Sequence, residues 1–271
     1  MRFRNLVQLT RWAAAVLLLS GDFAAFAQPQ TDDLTPEAAG QIIAAELRKQ
    51  KPPEGEWKGR LKIRSHDRKT VTTIPVLGKV SWIEPMWRNE YLTGAIDGKG
   101  AEHLTIVHSA TGPNVYLYAK APTPGAPLGE EKKLTGAEAN IPLANSDFWL
   151  ADLGFEFYQW PKQVKRPSEM KRSRACYVLE SFNPNPGKNG YSRVVTWVDI
   201  DSFKQHQGGI IQAEAYDQDN KKYKEFSLGH FRKINDQWQL EDMEITNIKD
   251  NTRTKVEYDL GQKRPPAQTS K

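Results

Sequence analysis

Apolar and polar residues alternate with a period of two along most of the chain from Trp57 onward. Such alternation predicts β-strands that turn one face toward a core. Turn residues divide the pattern into eleven runs, at 57–66, 70–84, 87–96, 103–110, 114–120, 175–182, 192–200, 209–217, 222–233, 237–248 and 252–260. Because these runs follow one another without crossover helices, the pattern predicts antiparallel pairing in one sheet.

A helical pattern precedes the strands. Thr35 is a good N-cap, Pro36 suits the first helical position and Glu37 makes the first turn acidic. Apolar residues then recur at helical spacing as far as Gln50, and Pro52 follows. The sequence therefore predicts one N-terminal helix that ends before this proline.

The middle of the chain interrupts the strand pattern. Residues 121–143 are rich in Pro and Gly and poor in apolar side chains, which predicts a long loop without a strand. Residues 146–153 are typical of one or two capped helical turns that carry Phe148 and Trp149. The stretch 162–174 is a basic run, which indicates a solvated face or a contact with anionic lipid or an acidic protein.

One strand run contains a change of parity. The large apolar residues fall at Trp238 and Leu240, and then at Met243 and Ile245. A β-bulge near Glu241 would return all four to one face. Because bulges bend sheets, this predicts a sheet that curves around a cavity.

The 8 Trp, 9 Tyr and 10 Phe residues change the picture, since many lie in strands whose other face is also apolar. A sheet that is apolar on both faces must be shielded from water on both sides. One account is ordinary packing of helices and loops on both faces. The other is a half-open barrel whose concave face binds an apolar ligand, and periodicity alone leaves both open.

The first 27 residues resemble a secretory leader. Three arginines precede an apolar run at 12–19, and Ala25-Phe26-Ala27 places small residues before a cleavage point. The run is too short to span a bilayer, which disfavours a membrane anchor. We expect cleavage after Ala27 and a periplasmic protein. Removal of the leader lowers the net charge from +5 to about +3, so no basic surface for nucleic acid is expected.

Catalytic patterns are absent from the sequence. The five histidines are scattered without metal-ligand spacing, and no phosphate-binding loop or nucleophile elbow occurs. The one cysteine, Cys176, opens a strand and is interpreted as a packing residue rather than a nucleophile. We therefore expect no metal, no organic cofactor and no enzymatic activity.

Several segments, taken in order, resemble the outer-membrane lipoprotein-sorting proteins of the LolA-like superfamily. The resemblance extends over residues 35–260 and rests on Ser146-Asp147-Phe148 with Asp152-Leu153, on Cys176-Tyr177-Val178-Leu179-Glu180, on Thr196-Trp197-Val198-Asp199, and on Glu214-Ala215-Tyr216-Asp217 with Lys222 and Lys224. The insertion at 121–143 and the bulky pair Phe148-Trp149 depart from the family pattern.

The resemblance implies a mostly β (α+β) fold, namely a single curved, incomplete antiparallel β-barrel of about eleven strands with an N-terminal helix and a short helical lid. The barrel domain would occupy residues 28–260, and a disordered tail would follow at 261–271. It also implies a monomeric, noncatalytic periplasmic carrier for the acyl chains of lipoproteins or lipids, served by a membrane-bound donor or acceptor protein. The alternative function is a regulatory interaction domain that senses lipids or lipoproteins.

Aromatic residues supply the expected ligand contacts. We expect the acyl chains to bind in a concave apolar cavity that Phe148 and Trp149 close. The residues expected to line or close it are Trp82, Trp87, Tyr91, Tyr116, Tyr118, Phe148, Trp149 and Trp197.

Overall fold

A computed structural model describes residues 34–67, 69–94, 100–187, 189–206, 209–229, 231–234 and 237–260. The predicted leader (1–27) and tail (261–271) lie outside these residues. Thirteen strands form one antiparallel sheet that curves without closing into a barrel, and two more strands pair separately. The predicted mostly β, incomplete-barrel architecture is confirmed.

The elements follow one another in this order: α1 (Pro36–Lys49), β1 (Gly55–Arg64), β2 (Val71–Ile83), β3 (Met86–Thr93), β4 (Glu102–His108), β5 (Val115–Lys120), β6 (Lys132–Leu134), α2 (Leu150–Leu153), β7 (Lys162–Lys171), β8 (Arg174–Phe182), β9 (Arg193–Asp199), α3 (Ile200–Lys204), β10 (Ile210–Tyr216), β11 (Lys222–Leu228), β12 (Phe231–Ile234), β13 (Gln237–Leu240), β14 (Asp242–Asn247) and β15 (Thr252–Asp259). Three short 3₁₀ turns, Gly136–Ala139, Leu143–Asn145 and Glu156–Gln159, flank α2.

The order of strands across the large sheet is β6-β5-β4-β3-β2-β1-β15-β14-β11-β10-β9-β8-β7. The last strand, β15, pairs with both β1 and β14, and so it joins the N-terminal and C-terminal halves of the sheet. Strands β6 and β7 are the two free edges. The sheet is therefore a curved layer with a concave face that other segments cover.

Helix α1 begins and ends as its sequence predicts. The Thr35 hydroxyl accepts a hydrogen bond from the Ala38 N–H at 3.2 Å, and Pro36 occupies the first turn. One face of the helix is buried, including Ile43 and Leu47. This face packs on β7, where Gly40 allows the two backbones to approach closely.

The structure has more strands than the eleven predicted. The loop prediction for 121–143 was wrong at one point, because Lys132–Leu134 pairs with β5 at the sheet edge. The basic run 162–174 forms β7 and the turn into β8. Residues 166–171 of this edge strand are mostly exposed to solvent. Apolar and polar residues therefore do not alternate there, and the sequence pattern did not predict a strand.

The predicted bulge near Glu241 is instead a break between two strands. Residues 237–240 pair with β12 in the separate hairpin, and residues 242–247 return to the large sheet between β11 and β15. The run 222–233 divides in the same way into β11 and β12. The parity change therefore marks the point where the chain changes sheets.

The contact between α1 and β7 predicts that Gly40→Ala destabilises the protein. A Cβ at Gly40 would lie 2.6 Å from the backbone of Gln163, which cannot rotate away. Overpacking of this kind costs about 1–3 kcal/mol, which outweighs the roughly 1 kcal/mol that Ala contributes to helix propensity. Thermal unfolding should show a lower Tm. Gly112→Ala is the control, since its nearest neighbour would be 3.8 Å away; an equal or higher Tm for Gly40→Ala would contradict the prediction.

Candidate functional site

The concave face of the sheet carries one continuous apolar cluster. Cross-strand pairing aligns Tyr91 with Leu104 and Tyr118, and it aligns Ile106 with Tyr116. These side chains are buried together with residues from β1, β2, β9, β11, β14 and β15, and with the inner face of α1. The cluster is therefore the main core of the protein as well as the lining of its concave face.

The structure brings five of the eight predicted ligand-binding residues into this cluster: Tyr91, Tyr116, Tyr118, Phe148 and Trp149. Trp87 is buried at the rim, where its ring stacks on His108. Trp82 pairs with Trp87 across the strands but is 45% exposed at the end of β2.

Trp197 lies away from the other seven residues. It packs in a second cluster with Cys176 and Val178, on the opposite, convex face. Its indole N–H donates to the Glu169 carboxylate at 2.9 Å, and Lys171 lies over its ring. Both parities of β9 are apolar, so the sequence alone could not place Trp197, and it is not part of the concave face. Cys176 is buried there, and burial raises the pKa of its thiol.

The concave face is covered by residues 136–160, which we call the covering segment. It consists of short helical turns, and the β-bridge between Pro142 and Trp149 lies within the segment itself. Phe148 and Trp149 point into the cluster and are 1% and 8% exposed. Because the segment does not pair with the sheet as a strand, side chains hold it in place.

The first contact that holds the segment is formed by Asp147. Its backbone N–H donates to the Thr254 hydroxyl at 2.9 Å, and that hydroxyl donates to the Asp147 carboxylate at 2.8 Å. The Thr252 hydroxyl donates to the other carboxylate oxygen. Asp147 therefore connects the covering segment to β15 through both its backbone and its side chain.

The second contact is a buried ion pair. The Lys224 ammonium lies 3.2 Å from the Asp152 carboxylate, and both side chains are 1% exposed. The ammonium also donates to the Asp147 carbonyl at 2.7 Å and lies 3.7 Å from the centre of the Trp149 ring. The Tyr191 hydroxyl donates to Asp152 at 3.0 Å. Three groups of the covering segment thus contact one buried cation on β11, and Tyr191 supports the carboxylate among them.

Burial dominates the electrostatics of this pair. Desolvation lowers the pKa of Lys224 and raises that of Asp152, and their mutual attraction opposes both shifts. The Asp152 carboxylate also accepts from the Trp149 N–H at 2.9 Å, which fixes the start of α2. Removing either partner would leave the other as an uncompensated buried charge.

A third contact connects the end of the covering segment to β5. The Tyr116 hydroxyl donates to the Glu156 carboxylate at 2.8 Å, and the Asn114 amide donates to the Gly154 carbonyl at 2.8 Å. Burial raises the pKa of Glu156 to about 7, although the hydrogen bonds from Tyr116 and Asn114 oppose the shift. Glu156 therefore titrates near neutral pH on the buried side of the covering segment.

The fourth contact lies near the start of the segment. The Ala144 N–H donates to the buried Glu102 carboxylate at 2.7 Å, and Lys120 donates to its other oxygen at 2.5 Å. We refer to these four contacts, centred on Glu102, Asp147, Asp152 and Glu156, as the polar anchors.

Sequence reasoning did not identify Lys224 as a buried cation. The sequence did contain one indication that Lys224 is buried. Lys224 lies two residues before the apolar Phe226, so both side chains point to the same face of β11. Asp147 and Asp152 stood out only in the family resemblance, and Tyr191 and Glu156 not at all. Their partners lie 39 to 107 residues away along the chain, so local pattern could not reveal them.

A groove of about 480 Å³ lies on the convex face of β1–β4. Leu77 and Leu92 form its floor, and oppositely charged side chains such as Lys79 and Glu90 surround them. In the described part of the chain, no cluster of three or more His, Cys, Asp or Glu residues is arranged to hold a metal ion. Likewise, none of the helices in this part is both long and apolar enough to cross a membrane.

Solved structures share this curved, unclosed sheet and define a LolA-like fold. A DUF1329 family protein from Desulfovibrio piger has a TM-score of 0.63 at 15% identity, over 85% of this chain and 96% of that one. A putative outer membrane lipoprotein-sorting protein domain from Vibrio parahaemolyticus has 0.61 at 18% identity, over 84% and 95%. A LolA superfamily protein from Nitrosomonas europaea has 0.55 at 13% identity, over 81% and 90%.

At these identities the similarity shows the fold alone. No curated protein matches the sequence. A family model described as "Uncharacterized protein" matches residues 92–267, more than half of the chain, and the protein belongs to that family.

The buried ion pair predicts strong coupling between Lys224 and Asp152. Lys224→Met should destabilise the protein by about 3–5 kcal/mol, because it leaves a buried carboxylate without its cation. The double variant with Asp152→Asn should recover part of that loss, since the amide oxygen still accepts from Trp149 and Tyr191. Urea unfolding of the four proteins measures the coupling.

The matched control for this cycle is Lys222→Met on the same strand. Lys222 is half-exposed and pairs with Glu214 at 3.0 Å, so its loss should cost less than about 1 kcal/mol. Strictly additive losses for Lys224→Met and Asp152→Asn would contradict the assigned role of the pair.

The raised pKa of Glu156 predicts a pH-dependent stability. The folded pKa of about 7 exceeds the ordinary value of 4.5, so ionisation destabilises the folded state as pH rises from 4.5 to 7. Glu156→Gln should therefore match the wild type near pH 4.5 and exceed it by about 2–3 kcal/mol at pH 8.

Urea unfolding across this pH range measures the difference for Glu156→Gln. Glu138→Gln, in an exposed part of the same segment, is the matched control. A constant difference between Glu156→Gln and wild type at all pH values would contradict the prediction.

Proposed function

We propose that the protein is a noncatalytic periplasmic carrier that binds the acyl chains of lipoproteins or lipids on its concave face. The observation that carries the proposal is that this apolar face is covered by a segment that does not pair with the sheet. Displacing the segment exposes the aromatic and aliphatic cluster without breaking any strand pairing. The sheet can then remain folded while an acyl chain enters or leaves its concave face.

The free energies support such an exchange. A chain of about ten buried methylenes contributes roughly 8 kcal/mol, before the costs of ordering it. Breaking a polar anchor costs about 0.5–1.5 kcal/mol for each neutral hydrogen bond and more where a charge is involved. When the segment opens, an acyl chain can enter the apolar cluster, and Phe148 and Trp149 then close over it. The free energy needed to open the segment is of the same order as that gained from acyl burial, which favours reversible binding.

Two further observations support the choice of cargo and compartment. The Vibrio parahaemolyticus neighbour is described as a putative outer membrane lipoprotein-sorting protein domain, and it shares this fold. The first 27 residues have the pattern of a cleaved secretory leader. We propose that loading and unloading take place at membrane-bound donor or acceptor proteins of the cell envelope.

The proposal predicts unequal roles for two equally buried tryptophans. Trp149 and Trp197 are both 8% exposed, but only Trp149 belongs to the covering segment. Trp149→Ala should speed the dissociation of a pyrene-labelled fatty acid roughly tenfold or more, because the segment loses its contacts with Tyr191 and Lys224. Trp197→Ala should leave the rate unchanged. Stopped-flow fluorescence measures both rates.

Circular dichroism must show that both variants keep the β signal of the wild type. Equal effects of the two substitutions would show that the tryptophans act only through stability. Failure of the wild-type protein to bind the labelled fatty acid, together with the absence of lipid in native mass spectra of protein purified from periplasm, would overturn the carrier proposal.

A further inference from the structure

Three buried polar side chains without complete partners meet at the rim of the concave face. They are Trp87 and Asn89 on β3 and His108 on β4. One polar atom of each side chain is inaccessible to solvent and has no hydrogen-bond partner among the described residues. These atoms are Trp87 Nε1, Asn89 Oδ1 and His108 Nε2. We call these residues the rim triad.

The geometry of the rim triad is well defined. Trp87 and His108 are directly opposed across β3 and β4, and their rings stack with centroids 3.6 Å apart and planes 7° apart. Asn89 follows two residues after Trp87, so it points to the same face. Its amide nitrogen donates to the Tyr91 hydroxyl at 2.6 Å, which orients the side chain.

Unpaired polar atoms are rare in protein interiors because burying them without a hydrogen bond costs free energy. Six buried side-chain atoms in the described residues lack a partner, and three of them belong to the rim triad. Apolar side chains of similar shape would pack there at lower cost. The concentration of these atoms at one place points to a group that supplies the missing hydrogen bonds.

The rim triad is suited to an uncharged group. Burial lowers the pKa of His108 to about 3, so the imidazole is neutral at pH 7. The nearby cation Lys51 already pairs with Glu84 at 2.6 Å at the hairpin tip. The triad offers an indole N–H as donor, an amide oxygen as acceptor and a ring nitrogen that is either, depending on its tautomer.

The position of the triad relates it to the proposed acyl site. Trp82, paired with Trp87, is exposed, so the triad lies one strand from the surface. Further along the same strands the face becomes apolar, first at Ile106 and Tyr116 and then at Leu104 and Tyr118. A ligand with its polar part at the rim would extend its tail into the cluster.

We propose that the rim triad binds the uncharged polar part of an acylated ligand, a group with both an ester carbonyl and a hydroxyl or amide N–H. The carbonyl accepts from the Trp87 N–H, and the ligand donor bonds to Asn89 Oδ1 or His108 Nε2. The ligand class is a neutral acylglycerol-like amphiphile rather than a fatty acid anion. This inference rests on the proposed carrier function and specifies its ligand.

The test compares two lipids with the same acyl chain, 1-monopalmitoylglycerol and palmitate, by isothermal titration at pH 7. Wild-type protein should bind the neutral lipid roughly tenfold more tightly. His108→Phe keeps the ring stack but removes the nitrogens, so it should weaken the binding of monopalmitoylglycerol roughly tenfold and leave palmitate unchanged. Its Tm should equal or exceed that of the wild type, because an unpaired buried polar atom is removed.

His103→Phe is the matched control, since His103 lies on the same strand but lines the convex groove. It should change neither affinity. Trp87→Phe provides a second variant that removes the indole donor, and it should reproduce the selective loss even if His108→Phe fails to fold.

Three outcomes would overturn the inference in distinguishable ways. Binding of neither lipid by the wild type would refute the carrier function together with the rim triad. Unchanged selectivity in both variants would leave the carrier intact and show that the triad holds only a water molecule. An equal loss for both lipids, with a lower Tm, would show that the triad has a purely structural role.

Discussion

The arrangement of the concave face depends on the buried ammonium of Lys224. It contacts the Asp147 carbonyl, the Asp152 carboxylate and the Trp149 ring, all of which belong to the covering segment. An ammonium this deeply buried is tolerated only with close partners, because desolvation of an ion is costly. The segment therefore cannot leave the sheet without exposing Lys224 to a new environment, and the position of Trp149 follows from that of the cation.

The unclosed sheet gives this contact its importance. In a closed barrel every backbone group is paired and the interior is accessible only at the ends. Here β6 and β7 are free edges, and α1 and the covering segment complete the enclosure. The side chain of Gln163 on β7 donates to the Phe157 and Trp160 carbonyls, so the edge strand also holds the end of the segment. An enclosure completed by side-chain contacts can open without loss of the sheet.

Polar groups are buried at several points where an all-apolar core would be more stable. Glu156 lies on the buried side of the covering segment with a pKa raised to about 7, and His108 lies at the rim with a pKa lowered to about 3, both because of burial. Natural proteins accept such costs chiefly at sites that bind or move. On the convex face, the buried Trp197 and the buried Glu180 both have hydrogen-bond partners, whereas the three buried atoms at the rim of the concave face have none among the described residues.

The sequence by itself determined the helix and strands that short-range features specify, namely a helix cap and the alternation of apolar and polar residues. The Thr35 cap and Pro36 defined α1, and the period of two identified most strands and their antiparallel pairing. The charged edge strand β7 and the three-residue β6 gave no such signal, because edge residues contact solvent instead of alternating between core and water. Periodicity also shows that a strand has two faces without showing which face is concave, so only the tertiary structure placed Trp197 on the convex face, away from Trp149. The same holds for Lys224 and Asp152, because a buried charge is stable only beside a partner that the fold brings from 72 residues away.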